Sequence, residues 1–307
     1  MRALQVAAFS GPEAVVVADL PDPSVSHALA RGDPIVIEVR AAGVTFADVL
    51  LSRGVYQLRP ELPFVPGMEV AGIVRAAPEG SELGPGEPVA AFTQLGGFAK
   101  VAVAPTHLTF RLPEALDFAQ GAGLVLNYHT AVFALVTRGR LSAGEHVLVH
   151  GGTGGLGTVA LQVPADSARA RSRSCPPTRR RRWRAGPGRT RSCAPTASGA
   201  MRCASSRARA VDVVLDPVGG ERFTDSRRAL RSGGRVVVVG FTDGSIAQVK
   251  VNRLLLHNTQ VVGAAWREWV IHRPETGREI GEIVIASGRR RRDPPARGRA
   301  IPAGRRC

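Results

Sequence analysis

The feature that most constrains the fold of this chain is a glycine turn that follows an apolar strand. Residues 145–150 read EHVLVH and residues 151–163 read GGTGGLGTVALQV, so Gly152, Gly154 and Gly157 have the spacing G-x-G-x-x-G. The apolar run predicts a buried parallel strand, and the segment after the glycines predicts a helix. A strand, a tight turn and a helix form the first half of a parallel α/β unit.

This turn has a functional and a purely structural interpretation. In a dinucleotide-binding turn, one glycine allows the tight bend, one lets the backbone approach a pyrophosphate, and one lets helix and strand pack closely. The helix start adds N–H groups and partial positive charge. The alternative is a βα turn that binds no ligand. The flanking elements favour the dinucleotide, and the predicted cofactor-binding residues are Gly152, Thr153, Gly154, Gly155, Leu156 and Gly157.

Two styles of sequence lie on either side of this region. Residues 1–124 are rich in Gly and Pro between short apolar runs such as PIVIEV (34–39), which predicts an all-β unit with tight turns. Beyond the turn, VDVVLDPVGG (211–220) predicts a strand and loop, ERFTDSRRAL (221–230) a helix, and SGGRVVVVGFTDG (232–244) another strand and loop. This alternation indicates a parallel sheet of the doubly wound, Rossmann type.

We therefore expect an α/β protein with two domains and a short end segment. The first domain covers 1–124, the second covers 125–265, and 266–307 forms an incomplete return segment and tail. The sequence contains no run of 18 apolar residues, so we expect no membrane-spanning helix. The start, MRALQVAAFSG, is typical of a strand rather than a leader peptide. The sequence thus predicts a soluble, cytoplasmic protein.

The net charge of +16 is concentrated in two segments. Residues 164–209 contain 13 Arg and one acid, and residues 289–307 contain eight Arg and one acid, so the remainder carries −3. All four cysteines lie in these segments and none forms a CxxC pair, which argues against a zinc site or a disulfide framework. Both segments lack the periodicity of folded elements, so 164–209 is predicted to be anomalous and disordered.

Several motifs together resemble the zinc-independent quinone oxidoreductase family of the medium-chain dehydrogenase/reductase superfamily. They are VLVHGGTGGLG (147–157), GVTFADVLLSRGVY (43–56), PFVPGMEVAGIV (63–74), NYHTAVFAL (127–135), DPVGG (216–220) and GFTDG (240–244). The resemblance implies a GroES-like barrel domain, a Rossmann domain and a cleft between them. It also implies NADPH-dependent reduction of quinones or conjugated carbonyls (enones) by a homodimer.

Zinc-using relatives need an early Cys and a His beside a Glu. This sequence has Thr45 at the first position and Met68 before Glu69 at the second. A hydroxyl and a thioether do not replace thiolate and imidazole as zinc ligands. We expect no metal site, and hence an acceptor that takes up hydride on a delocalised system.

The resemblance also implies roles for individual residues. Tyr56 stacks on the substrate or donates a proton, or else is a half-buried loop tyrosine. Thr45 stands where the family has an Asn, and Thr130 approaches the nicotinamide ring or is simply a buried hydroxyl. The catalytic candidates are Tyr56, Thr45 and Thr130. The further cofactor-binding candidates are Asn127, Thr130, Pro217, Val218, Gly240, Phe241 and Thr242.

Four other polar or sulfur-bearing residues have simpler interpretations. Asp48 is predicted to cap a turn or helix, and Met68 to pack in the core. His150 is predicted to be a satisfied histidine at the edge of the core. His129 is predicted to be buried or to line the cleft.

Three hypotheses account for the basic block 164–209. It is an Arg-rich binder of nucleic acid or another polyanion, an arginine clamp for the 2′-phosphate of NADPH, or the product of a shifted reading frame. Shifting the frame with GC-rich codons restores an alternation of helix and strand, which explains the arginines, the cysteines and the lost periodicity together. We favour the third hypothesis and expect no nucleic-acid partner.

The same block leads to a prediction of impairment. Without an apolar strand beside EHVLVH, one position of the sheet is expected to be unfilled, and cofactor binding and stability to suffer. Two alternative functions stay open at this point. One is an enoyl-thioester or 2-alkenal reductase on the same scaffold, and the other is a non-catalytic polyanion-binding protein.

Overall fold

A computed structural model of the chain describes residues 1–23, 34–163, 171–175 and 211–290. The chain divides into two compact units, and each contains one five-stranded sheet. Unit 1 comprises Met1–Leu126 together with the described chain from Arg273 onward. Unit 2 comprises Asn127–His272.

Unit 1 is built mainly from antiparallel strands. Its strands are β1 (Arg2–Val6), β2 (Val15–Asp19), β3 (Pro34–Gly43), β4 (Glu69–Ala76), β5 (Pro88–Phe92), β6 (Val101–Pro105) and β7 (Thr109–Arg111). β1 and β2 form a hairpin, and the five-stranded sheet has the order β6-β3-β4-β5-β7. Its short helices are α1 (Phe46–Ser52) and α2 (Phe118–Gly121).

The sheet of unit 1 curls around an aliphatic core. Ile35, Ile37, Val70 and Val89 are fully buried in one cluster, from strands of alternating or continuous apolar character. β3 shifts register between Val36 and Ile37 and again between Val39 and Ala41 against β4. Such bulges bend a strand and increase its twist, which suits a half-barrel.

Unit 2 contains a parallel sheet with helices between its strands. Its strands are β8 (His146–His150), β9 (Arg171–Cys175), β10 (Val211–Asp216), β11 (Leu230–Val238) and β12 (Gln260–Gly263), in the order β12-β11-β10-β8-β9. Its helices are α3 (Leu126–Val132, continued as a π-helical turn, Phe133–Arg138), α4 (Gly155–Ala160), α5 (Arg222–Arg228), α6 (Val251–His257) and α7 (Trp266–His272). The predicted α/β class, with a β-rich first part and a parallel sheet, is confirmed.

The prediction of an unfilled position beside β8 is wrong. β9 pairs with β8 in parallel register over its whole length, from His146 opposite Arg171 to His150 opposite Cys175. Main-chain hydrogen bonds do not depend on side-chain type, so a polar segment can extend a sheet where an apolar one was expected. The predicted disorder is therefore also wrong for residues 171–175. The remainder of the block 164–209 lies outside the described residues.

The chain returns to unit 1 in one long helix, α8 (Pro274–Arg290). Its Gly281 packs on Phe110, so closely that a Cβ at this position would lie 2.0 Å from the ring. Because α8 ends at Arg290, it includes the first two residues of the second basic segment, 289–307. Residues from 291 onward lie outside the described part of the chain. Within the described ranges, no helix has both the length and the apolar character needed to cross a bilayer.

Candidate functional site

The carboxyl edge of the parallel sheet in unit 2 gathers most of the predicted cofactor-binding residues. β8 lies between β9, the next described strand of the sheet along the chain, and β10, which pairs with its other edge. In open α/β sheets, ligands bind at such a switch point, beyond the carboxyl ends of the strands. The glycine turn follows β8 directly, and the DPVGG loop follows β10.

The glycine turn is packed so tightly that side chains would not fit. A Cβ on Gly157 would lie 2.1 Å from the carbonyl oxygen of Gly151, far inside van der Waals contact. That carbonyl also accepts the N–H of Gly154 at 2.9 Å. Gly151 itself has φ +62°, a left-handed conformation that favours glycine. The third glycine of the motif thus allows the first turn of α4 to pack against the end of β8.

The loops after β10 and β11 meet one another at the same edge. Thr242 N–H donates to the Pro217 carbonyl at 3.2 Å, and Asp243 N–H donates to the Val218 carbonyl at 3.0 Å. The Val218 side chain also approaches the glycine turn, 3.7 Å from where a Cβ on Gly151 would lie. The structure therefore brings together the predicted residues of all three loops, including Gly240 and Phe241.

Helix α3 places Asn127, another predicted cofactor-binding residue, beside the glycine turn. The Asn127 side chain lies against the turn, with its Nδ2 3.2 Å from a Cβ built on Gly155. Thr130 lies three residues further along α3, on the same side of the helix, and is half-buried. The Tyr128 hydroxyl donates to Gln162 Oε1 at 2.7 Å, which ties α3 to the chain that follows α4.

The two histidines near this edge are buried parts of the unit. His150 is 2% exposed, and its Nε2 lies 2.6 Å from the Ser226 hydroxyl, which donates to the Arg222 carbonyl. A neutral imidazole can donate or accept in this pair, according to its tautomer. Burial lowers the pKa of His150 and favours this neutral form. The prediction of a satisfied histidine holds for Nε2 only, because Nδ1 is buried with no hydrogen-bond partner among the described residues. His129 is 1% exposed beside the Trp266 ring, which confirms burial rather than cleft lining.

In unit 1, Thr45 is the N-cap residue of helix α1 and is paired with Asp48. Asp48 Oδ2 accepts both the N–H and the hydroxyl of Thr45 at 2.8 Å, and its Oδ1 accepts the N–H of Gly67 at 3.2 Å. Burial raises the pKa of Asp48, although these three bonds oppose the rise. The predicted capping role of Asp48 is confirmed. The hydroxyl proton of Thr45 is therefore directed at a carboxylate.

Tyr56 lies in the bend that follows α1 and is half-buried. Three apolar side chains near Thr45 and Tyr56 in the sequence are exposed: Val44 by 73%, Phe46 by 46% and Val55 by 67%. The structure thus places both catalytic candidates of unit 1 on the segment 45–56, beside exposed apolar side chains.

Met68 directly precedes β4, and Glu69 is the first residue of that strand. Both residues are 1% exposed. Core packing by Met68 is confirmed. The Oε2 of Glu69 accepts the N–H of Leu126, the first residue of α3, at 2.8 Å. Burial, together with the neighbouring charge of Asp48, raises the pKa of Glu69 to about 8. Glu69 is consequently a neutral carboxylic acid at pH 7.

Sequence reasoning missed the roles of two acids at the site. In the sequence, Glu69 stands out only as the neighbour of an absent zinc ligand. Asp216 ends β10 and is 1% exposed; its Oδ1 accepts the N–H groups of Val218 and Gly219, both at 2.9 Å. An acid directly before Pro-Val-Gly-Gly was a usable signal for this loop, because Asp commonly bonds the backbone two or three residues on. Across the described residues, no group of three or more His, Cys, Asp or Glu side chains is arranged to hold a metal ion.

Comparisons with known proteins agree with this architecture. Residues 31–114 match the model of the alcohol dehydrogenase GroES-like domain, and residues 196–280 match that of the zinc-binding dehydrogenase family. The quinone oxidoreductase of Rattus norvegicus is 32% identical over 276 residues, which cover 86% of this chain and 80% of that protein.

Two solved structures extend the likeness to the whole fold. A probable oxidoreductase from Mycobacterium abscessus is 35% identical, with a TM-score of 0.73, and the match covers 94% of this chain and 88% of that one. The quinone oxidoreductase from Thermus thermophilus, also solved in complex with NADPH, is 29% identical with the same TM-score and the same coverage. The chain belongs to the quinone oxidoreductase family of the medium-chain dehydrogenase/reductase superfamily.

Proposed function

We propose that this protein is an NADPH-dependent oxidoreductase that reduces a quinone or a conjugated carbonyl without zinc. The observation that carries the proposal is the glycine turn at the switch point of the parallel sheet. There, Gly157 lies against the Gly151 carbonyl and the loops after β10 and β11 converge.

The residues at this edge fit a dinucleotide. The N–H groups of Gly155, Leu156 and Gly157 are in the first turn of α4, where no earlier carbonyl of the helix can accept them. A pyrophosphate accepts such N–H groups, and the absence of a Cβ at the glycines lets it come close. The NADPH complex of the Thermus thermophilus relative supports the same cofactor here.

NADPH, when bound, supplies the hydride for a two-electron reduction. We assign the pyrophosphate to the turn 152–157, and the rest of the cofactor to Asn127, Thr130 and the loops 217–218 and 240–242. In this assignment Asn127 has a double role, because its amide already lies against Gly155 and helps fix the turn.

Zinc independence is supported by the chemistry of two side chains. The Thr45 hydroxyl donates to Asp48, and the Met68 thioether is buried in the core. Neither atom is a zinc ligand of the usual kind. Without a Lewis acid, the acceptor has to spread the incoming charge itself, which a quinone or enone does and a saturated ketone does not.

The acceptor is proposed to bind at the segment 45–56 of unit 1. The exposed side chains of Val44, Phe46 and Val55 suit an apolar ring. The Tyr56 hydroxyl is the proposed proton donor to the reduced oxygen, and the Thr45 oxygen keeps lone pairs that can accept a bond from the substrate.

We also propose a homodimer, in which β12 pairs with the β12 of a second copy. β12 is one edge of the described sheet, and the edge strand of a sheet can pair its backbone with another strand. The neighbouring helix α6 exposes Val251 by 73%, Leu255 by 75% and Leu256 by 69%. The cytoplasmic location expected from the sequence stays a prediction.

The test is an acceptor panel with chelator-dialysed protein whose metal content has been measured. We expect NADPH oxidation with a simple benzoquinone and with a conjugated enone, background rates with the matching saturated ketone, and no change on adding zinc. Tyr56→Phe should lower kcat by roughly tenfold or more with KM little changed. Reduction of the saturated ketone that depends on added zinc would contradict the proposal.

A further inference from the structure

The segment that carries Tyr56 packs against an aromatic ring from a distant part of the sequence of unit 1. We call residues 53–60 the Tyr56 segment. Phe9 lies in the turn between β1 and β2, and its ring contacts this segment at two places. A Cβ on Gly54 would lie 2.9 Å from the Phe9 ring, and the Arg59 guanidinium carbon lies 4.8 Å from the ring centroid. Tyr56 therefore lies between two residues that contact the same ring.

The ring of Phe9 is itself fixed from the core side. The Phe64 ring, which is 8% exposed, lies 6.2 Å from it, centroid to centroid. Backbone bonds join Val6 and Phe64 in both directions, with N···O distances of 2.8 and 3.2 Å. The turn is also tied to the end of α1, because Gly11 N–H donates to the Ser52 carbonyl at 3.1 Å. The support for Phe9 thus reaches the chain on both sides of the Tyr56 segment.

The contact with Gly54 requires a glycine. Gly54 has φ +67°, and it bends the chain sharply over the ring while its N–H donates to the Leu51 carbonyl at 2.9 Å. A residue with a Cβ would be strained by the backbone angle and would also clash with the ring. The Arg59 contact adds a cation–π attraction. Close packing on one side and attraction on the other leave the segment little freedom.

We propose that Phe9 is a positioning residue that fixes the Tyr56 segment and thereby determines which acceptors it binds. The part concerning acceptors rests on the proposed function. The part concerning the segment does not, because it depends only on contacts within unit 1. Phe9 is half-buried, and its distinctive feature is an aromatic ring that contacts both Gly54 and Arg59.

The test compares Phe9→Leu with the ring-preserving variant Phe9→Tyr in the full chain. Hydrogen exchange of the peptide covering 53–60 measures the segment directly. We expect exchange there to rise roughly fivefold or more in Phe9→Leu and to stay near the parent rate in Phe9→Tyr. Phe110→Leu, which removes a ring in contact with α8, is the matched control and should leave this peptide unchanged.

Steady-state kinetics then test the acceptor part. In Phe9→Leu, KM for benzoquinone should rise several-fold, kcat should stay within about twofold, and discrimination between a small and a bulky quinone should fall. Affinity for NADPH should not change. Tyrosine at position 9 should restore the parent values.

Unchanged exchange in Phe9→Leu would overturn the proposal. Raised exchange with unchanged KM and unchanged discrimination would overturn the assignment of specificity to Phe9. If the parent protein reduces no acceptor, the proposed function fails and the acceptor part of this proposal fails with it. Exchange alone then decides whether Phe9 positions the segment.

Discussion

At the scale of single residues, the buried acid Glu69 combines a structural bond with an unusual charge state. Its side chain is accommodated because the facing residue is Gly43, where a Cβ would lie 2.6 Å from Glu69 Oε1. Its bond to Leu126 N–H fixes the first residue of α3. Burial raises its pKa to about 8, so ionisation of Glu69 opposes folding.

The pH dependence of stability follows from this shift. The pKa of Glu69 is 4.5 in an exposed chain and about 8 in the folded protein. Its contribution is therefore complete below about pH 4.5 and is lost as the pH rises through about 8. Glu69→Gln should remove this loss. Between about pH 4.5 and 8, the free energy of unfolding of the parent should therefore fall by a few kcal/mol relative to that of Glu69→Gln. Urea denaturation at a series of pH values measures the difference.

The control for this prediction is Glu114→Gln, which changes an exposed acid of the same unit. It should follow the pH profile of the parent. Parallel profiles for the parent and Glu69→Gln would show that Glu69 ionises as readily in the folded protein as in the unfolded chain, and would refute the prediction.

The third glycine of the turn provides a second prediction at this scale. Gly157→Ala should cost about 1–3 kcal/mol of stability through overpacking against Gly151, and should abolish the thermal stabilisation given by NADPH. Gly263→Ala is the matched control in the same unit, because nothing lies within 4 Å of its added Cβ. Equal stabilisation of both variants by NADPH would place the cofactor elsewhere.

Single residues were predictable from the sequence where the chemistry is local. Asp48 as a cap follows from a short-range pattern and is confirmed. The burial of His150 is confirmed too, but only one of its ring nitrogens is paired among the described residues. The charge state of Glu69 was not predictable, because it depends on desolvation and on the distant partner Leu126. The Phe9 contacts, which join the chain near residue 9 to residues 54 and 59, leave no periodic signal either.

At the scale of elements, strand β9 shows what a side-chain pattern omits. The sequence RSRSC lacks the apolar character of a buried strand, and the position beside β8 was therefore expected to be unfilled. The backbone pairs there nevertheless, over residues 171–175. The hypothesis of an impaired enzyme loses this one premise. By contrast, β8, β10 and β11 were predictable, because continuous runs of Val and Leu are typical of strands buried on both faces.

A buried ion pair ties strand β11 to the turn before β8. Arg235 in β11 is 7% exposed and forms two bonds of 2.7 Å with Glu145; it also donates to the carbonyls of Gly139 and Arg140. Although burial acts to raise the pKa of Glu145, the bonds from Arg235 and Ser142 hold it below its usual value. One guanidinium thus satisfies a carboxylate and two backbone groups.

Arg235→Met should cost about 1–3 kcal/mol, since it leaves two backbone carbonyls and a partly buried carboxylate without their donor. Thermal or urea unfolding measures the loss. Arg228→Gln removes the exposed pair with Asp225 in the same unit and is expected to change stability by less than about 0.5 kcal/mol. Equal losses of stability in both variants would show that the Arg235–Glu145 pair stabilises the fold no more than the exposed pair does.

At the scale of the whole molecule, the two sequence styles correspond to two kinds of sheet. Alternating and glycine-punctuated segments build the antiparallel sheet of unit 1, and continuous apolar runs build the parallel sheet of unit 2. The fold class was therefore predictable from pattern alone. The packing of α8 in unit 1 was not predictable in this detail, because it involves residues far apart in the sequence, such as Gly281 and Phe110.

The proposed homodimer makes a prediction at this scale. The full chain should sediment as a dimer, and Leu255→Glu should give a monomer, because it places a charge among the exposed apolar side chains of α6. Val17→Glu, at a position 61% exposed in β2, is the control and should stay dimeric. A parent protein that sediments as a monomer at all concentrations would refute the dimer.

The most direct test of cofactor binding is an equilibrium titration of the folded chain with NADPH, followed by the fluorescence of the bound nicotinamide. We expect saturable binding with one site per chain, weakened strongly by Gly157→Ala and retained by Gly263→Ala. A protein with the circular dichroism of a folded α/β molecule that shows no saturable binding of NADPH would contradict it.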